Sequence, residues 1–273
     1  AMAAIPFNQG LHPYEGIAFQ FSHHIVHADG RIEHKGQYLN ATPGVLPNFA
    51  FVRALKNELS SDEGSIFRYA QHENSYLRMI RGQIMAHTDQ IPDAKELCQF
   101  IDAITEYKIP QLKDQKICGP RNMIDLCDLV KRYYYDPDTK GSASIKKVLP
   151  SILNRSAYLQ EKYSQPIYGT PGGIQSLNFT DKAWVQIIDG QVKDPYKQLR
   201  VLFENLPEEE DIELVSDGES INQGGAAAMA YYRMQYDTMS DYERQEIQQA
   251  LLEYCELDTL AMVMLFEGWR DLL

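Results

Sequence analysis

The 273-residue chain holds only four cysteines, and Cys98, Cys118, Cys127 and Cys255 form no C-x-x-C pair. Zinc-ribbon and disulfide-framework readings are excluded, and buried free thiols in a reducing cytoplasm are the expectation. Long hydrophobic runs are missing too. The longest, residues 260–266, has seven residues, far short of the roughly 18 that a membrane span needs, so no membrane association is expected. Positive charge is scarce: 26 Lys and Arg stand against 38 Asp and Glu, a formal charge of −12. That excludes a broadly basic face coating nucleic acid. It leaves open a metal-dependent nuclease, which concentrates carboxylates at its site. Also absent are the G-x-S-x-G, H-E-x-x-H, G-x-G-x-x-G, Walker and kinase motifs. Serine hydrolase, zincin, dehydrogenase and kinase readings lose their usual support. No signal peptide or lipidation motif is visible, and the opening Ala-Met-Ala-Ala-Ile-Pro-Phe reads as a cut inside a longer protein.

What is present is enough apolar residue, 44%, for a real core, and the length suits one large domain. Residues 17–27 alternate as a strand, with Ile17, Phe19, Phe21, His23 and Ile25 on one side. Asp29-Gly30 marks a hairpin, and residues 31–39 make the return strand. Helical spacing is predicted over 47–59, 73–87 and 93–107, with a short strand at 64–69. A strand end at 123–126 runs into a helix to 135. Ser144 is positioned to cap a short helix over 145–149, which Pro150 should disturb. Residues 164–218 read as a surface insertion with short helices around 179–188 and 195–203, a strand at 212–215, and an eight-acid solvated run over 204–219. Helices over 224–236 and 241–268 close the chain, the last opened by a Ser240–Glu243 capping box. The expected class is α/β, a mixed sheet flanked by helices in a single domain over 1–273.

Four clusters could carry chemistry. On the last helix, Ile247, Leu251, Tyr254, Asp258, Ala261 and Leu265 share one face, so Asp258 interrupts an apolar stripe. A carboxylate there needs a cation, a metal or several donors. Tyr254, one turn earlier, can aim its hydroxyl at the same point. The alternative is a purely structural hydrogen-bonded pair. Glu73 opens the 73–87 helix after a buried strand, where it is either a metal ligand or an acid that suits the helix dipole. On the first strand, Gln20 or His23 could line a cleft beside the His23-His24-Ile25-Val26-His27 run. In the Gly141–Pro150 stretch, small residues precede Lys146 and Lys147, which could meet a nucleic-acid backbone. An ordinary capped helix is the plain alternative.

Together, residues 13–24, 69–77, 141–150 and 252–269 resemble a bacterial family of unknown function placed among the RNase H-like, DnaQ-like 3′–5′ exonucleases with DEDD sites of the Tyr type. The resemblance implies a nuclease acting on a single-stranded end of DNA or RNA with two Mg²⁺ or Mn²⁺ ions. It carries the Tyr-x-x-x-Asp motif onto Tyr254 and Asp258 and the second-motif acid onto Glu73. Asp258 and Glu73 would be metal ligands and Asp125 a supporting acid, with Gln20, His23, Lys146 and Lys147 towards substrate. The first motif, Asp-x-Glu on the first strand, would lie just before Ala1. The Asp-x-Glu strings present, at 211–213, 217–219 and 241–243, come late. The chain alone is therefore expected to be a weak or inactive nuclease. A non-catalytic binding or assembly module that keeps the nuclease fold is the alternative.

Overall fold

A computed structural model describes residues 8, 11–108, 115–200 and 224–272. The chain divides into two compact units, residues 1–19 with 44–134 and residues 20–43 with 135–273. The second unit contains the hairpin of β1 (Gln20–Val26) and β2 (Ile32–Leu39), which are antiparallel. Its turn is where the sequence places it: Gly30 sits at φ +86° and its amide bonds the His27 carbonyl at 2.9 Å. The pairing skips Lys35, so a bulge on β2 shifts the register between His23 and His24. That shift brings His34 opposite His24.

The first unit holds α1 (Asn48–Leu59), β3 (Phe67–Arg68), α2 (His72–Ala86), α3 (Ala94–Ile104), β4 (Glu106–Lys108), β5 (Lys116–Cys118), β6 (Ile124–Asp125) and α4 (Leu126–Tyr133). Val52, Leu77, Ile80, Ile84, Leu97, Ile101 and Ile104 are buried at helical spacing, which packs the first three helices on one another. The 93–107 helix stops early. Thr105 is extended and β4 leaves to pair with β5. β3 and β6 form a parallel pair, each running into a helix.

The second unit continues with α5 (Ile145–Arg155), α6 (Ala157–Tyr163), a small hairpin of β7 (Ile187–Ile188) and β8 (Gln191–Val192), α7 (Gly224–Tyr236) and α8 (Asp241–Leu272). α5 runs through Pro150 because Val148, Leu149, Ile152 and Leu153 are all fully buried; that burial outweighs the one backbone bond a proline removes. Ser144 holds the cap position but its side chain makes no cap bond. The helix expected around 179–188 is replaced by irregular chain and the β7–β8 hairpin, and the one around 195 is a single 3-10 turn, Pro195–Gln198. The acid run and the strand at 212–215 lie outside the described residues. The capping box forms as expected: Glu243 accepts from the Ser240 amide at 2.8 Å, and the Glu243 amide donates to Ser240 Oγ at 3.2 Å. α8 packs along both hairpin strands and against α5, α6 and α7. Gly268 lets α8 pack closely on α5, since a Cβ there would lie 2.7 Å from Ile152.

The molecule is thus mixed α/β. Among the described residues the strands make four two-stranded ladders, three antiparallel and one parallel, in place of one continuous mixed sheet.

Candidate functional site

α8 presents polar groups on two sides. On the first, Asp258 is half-buried and accepts a hydrogen bond from the Tyr196 hydroxyl at 2.8 Å. Tyr196 is held there by its 3-10 turn, whose cap, Asp194, accepts from the Tyr196 amide at 3.0 Å. The Tyr196 and Tyr254 rings lie 6.1 Å apart, tilted by 53°. The Lys146 ammonium, from the first turn of α5, stands 5.4 Å from one ring centre and 5.5 Å from the other, within cation–π range. Burial pushes the Asp258 carboxyl up to about 6, against the pull of Lys146 and of the Tyr196 bond. Burial, then the nearby Asp258, raises the Tyr254 phenol, so it is protonated and able to donate at neutral pH. Lys147 is exposed; with Lys197 and Lys146 it pulls down an Asp194 carboxyl that burial raises.

The other side of α8 is fully enclosed. Glu256 is 0% exposed. Its Oε1 accepts from the Tyr168 hydroxyl at 2.5 Å and Ser176 Oγ at 2.5 Å and lies 3.0 Å from His34 Nδ1, while Oε2 accepts from Asn178 Nδ2 at 2.6 Å. Burial alone would raise this carboxyl, but the His34, Ser176 and Tyr168 bonds prevail and hold it down to about 2. Tyr168 is pinned by the next residue. Gly169, at φ +75°, packs so closely on the Phe179 carbonyl that a Cβ would fall 2.0 Å from it.

Three residues singled out from sequence therefore converge: Tyr254, Asp258 and Lys146. On β1, His24 bonds α8 through Thr259 at 2.8 Å. Gln20 and His23 lie on β1 opposite Leu39 and Gly36. Glu73 belongs to the first unit and is exposed in the first turn of α2. Asp125, in the same unit, caps α4: its Oδ1 accepts from the Cys127, Asp128 and Ala70 amides at 3.0, 3.3 and 3.0 Å. Sequence reasoning missed Tyr196 and Glu256. Tyr196 offers no local signal, since its partner is 62 residues away. Glu256 does offer one: it stands one turn before Leu260, an acid on an apolar face.

Among the described residues, no group of three or more His, Cys, Asp or Glu side chains is arranged to hold a metal ion. On this observation the described residues do not fit a two-metal centre by themselves. Two open recesses of the second unit, of about 400 and 680 Å³, are lined by Arg31, Glu33 and the 169–173 loop and by Tyr38, Arg244 and Leu252; neither includes Asp258. Among the described residues no helix is long and apolar enough to cross a membrane.

No curated protein and no solved structure matches the chain. A family model described as a domain of unknown function, DUF2779, matches residues 1–144, more than half of the 273 residues. The chain belongs to the DUF2779 family.

Proposed function

We propose that the protein is a metal-dependent 3′–5′ exonuclease of the RNase H-like, DnaQ-like type, and that this chain brings Tyr254, Asp258 and Lys146 to its site. The observation that carries this reading is the convergence of an acid, a protonated phenol and a lysine from two helices. Lys146 offers a positive charge to a phosphodiester at the start of α5, where the helix dipole adds to it. Tyr254 offers a hydroxyl donor. Asp258 is ionised above about pH 6, in the range where nucleases work as carboxylates. Mg²⁺ or Mn²⁺ belongs to this reading, with Asp258 as a ligand.

A second reading, a nucleic-acid-binding or assembly module without catalysis, is favoured by one observation: Asp258 already has a hydroxyl donor and a lysine for company and lacks neighbouring ligands among the described residues. The two readings part in one experiment. The full-length protein is incubated with labelled single-stranded DNA or RNA and Mn²⁺, beside its Asp258→Asn variant. Metal-dependent trimming that the substitution abolishes supports the exonuclease; binding without trimming supports the module.

A further inference from the structure

The β7–β8 hairpin of the second unit stands away from the body that carries it. The chain enters it from Val185, which is buried and whose amide donates to the Tyr163 carbonyl at 2.9 Å. It leaves through Val192, also buried, whose amide donates to Asn154 Oδ1 on α5 at 2.8 Å. Between those anchors, residues 186–191 are all exposed. Asp189 and Gly190 lie at φ +51° and +79°, the left-handed pair that a tight two-residue hairpin turn takes. Ile187 and Ile188 are each 55% exposed. Neighbouring strand residues point to opposite faces, so the tip shows a branched apolar side chain on each face.

Positive charge collects at the foot of the hairpin. β8 runs straight on into Lys193, Asp194, Pro195, Tyr196 and Lys197. Burial raises the Asp194 carboxyl, and the Tyr196 amide, Lys197, Lys146 and Lys147 pull it back. Burial, then the nearby Lys193, lowers the Lys182 ammonium. Among the described residues, Lys147, Lys193 and Lys197 take part in no ion pair. In a chain of charge −12 this is a local excess of the sign that phosphates need. The foot is also joined to the candidate site. Ile187 pairs with Val192, four residues before Tyr196, whose hydroxyl bonds Asp258. Four extended residues reach roughly 14 Å and one strand spacing adds about 5 Å, which puts Ile187 within about 20 Å of Tyr196.

An apolar tip can meet lipid, protein or stacked bases. Asp189 at the turn opposes entry into a bilayer, which would bury its charge. Lysines without carboxylate partners at the foot suit a polyanion better than the apolar groove of a protein. Isoleucine is among the side chains that push between base steps and unstack them. We propose that the β7–β8 hairpin is a wedge for the end of a double-stranded nucleic acid. Ile187 and Ile188 unstack the terminal base pairs, and Lys147, Lys193 and Lys197 hold the phosphates of the strand led towards Asp258. Asp189 keeps the tip off the phosphates and on the bases. The inference rests on the nucleic-acid substrate of the proposed function and adds a substrate class to it, a paired end that is opened before it is trimmed.

Strand opening is read in EDTA, where metal-dependent cleavage plays no part. DNA and RNA duplexes carrying 2-aminopurine in the terminal pair are titrated with the full-length protein. Fluorescence should rise severalfold on binding to at least one of them, as the labelled base unstacks. The double variant Ile187→Ser, Ile188→Ser changes two exposed side chains and should keep its melting temperature. It should bind the same duplex within about twofold and leave the fluorescence low. Lys193→Ala combined with Lys197→Ala should weaken binding and flatten the slope of log K against log salt by about 2. Duplexes that do not bind, or that bind with the terminal pair still stacked, overturn the proposal, and so does an equal rise with the isoleucine variant. Binding to phosphatidylserine vesicles that this variant loses, with no rise on either duplex, assigns the tip to lipid and overturns it too. The exonuclease reading fails separately, if single strands stay intact with Mn²⁺ while duplex ends open. The wedge fails separately, if single strands are trimmed while duplex ends stay closed.

Discussion

Tyr196 donates its hydroxyl proton to Asp258 Oδ1 across 2.8 Å, from a turn 62 residues earlier in the chain. Burial raises this carboxyl to about 6 while the Tyr196 bond and Lys146 hold it back. Removing the hydroxyl with Tyr196→Phe should therefore move the Asp258 titration, followed by carboxyl ¹³C shifts, further upward. The lost bond to a charged group should cost about 1.5–3 kcal/mol in urea unfolding at pH 7.5. It should cost less at pH 4, where the carboxyl is neutral. An unmoved titration would mean that the hydroxyl does not support the ionised acid.

Asp258 itself should be a stability liability at neutral pH. Its folded pKa lies above the ordinary carboxylate value, so the protonated form favours folding. That contribution is complete below about pH 4 and is lost as pH rises through about 6. Asp258→Asn should thus melt higher than the unsubstituted chain at pH 7.5, and the gap should close at pH 4. A substitution that destabilises at both pH values would mark a structural acid in place of a functional one.

His24 and Glu256 have the opposite sign. Burial and His34 depress His24 to about 3, and the bonds from His34, Ser176 and Tyr168 depress Glu256 to about 2. Their stability is present above the unfolded values and is lost on acidification, from about pH 6.5 for His24 and pH 4.5 for Glu256. Unfolding free energy should fall below pH 6.5 with up to about 1.4 kcal/mol per pH unit for each proton taken up. His24→Asn should flatten the slope between pH 6 and pH 5. A variant with an unaltered slope there would remove His24 from the explanation.

In the first unit, Asp125 caps α4 and also receives the Ala70 amide, which sits at φ +66°. Arg68, 2% exposed, lies with Nη2 3.5 Å from Asp125 Oδ2. Asp125→Ala should cost at least about 2 kcal/mol in denaturant unfolding. Asp125→Asn keeps a cap acceptor and should cost less. Equal losses would show that the charge beside Arg68 matters and the cap does not.

Local patterns were legible in the sequence. The Asp29-Gly30 hairpin, the helices of the first unit and the Ser240–Glu243 box follow from turn chemistry, apolar spacing and capping within a few residues. That Tyr254 and Asp258 share one side of α8 was legible too, because helix periodicity fixes it. What escaped was decided by tertiary contacts. α5 continues past Pro150 because its flanking apolar residues are buried. Thr105 leaves the helix because β4 finds β5 across an intervening segment. Tyr196 and Glu256 gain their roles from partners 62 and 78–222 residues away, which no local period encodes. His34 faces His24 only because the bulge skips Lys35.

The most direct measurement is the length of a 5′-labelled single-stranded DNA or RNA after incubation with Mn²⁺ and the full-length protein. The expected result is a ladder shortened from the 3′ end, lost in Asp258→Asn and weakened about tenfold in Lys146→Met. Intact substrate with every metal and strand tested, or shortening that Asp258→Asn leaves unchanged, would contradict the assignment of a phosphodiester-cleaving site to Tyr254, Asp258 and Lys146.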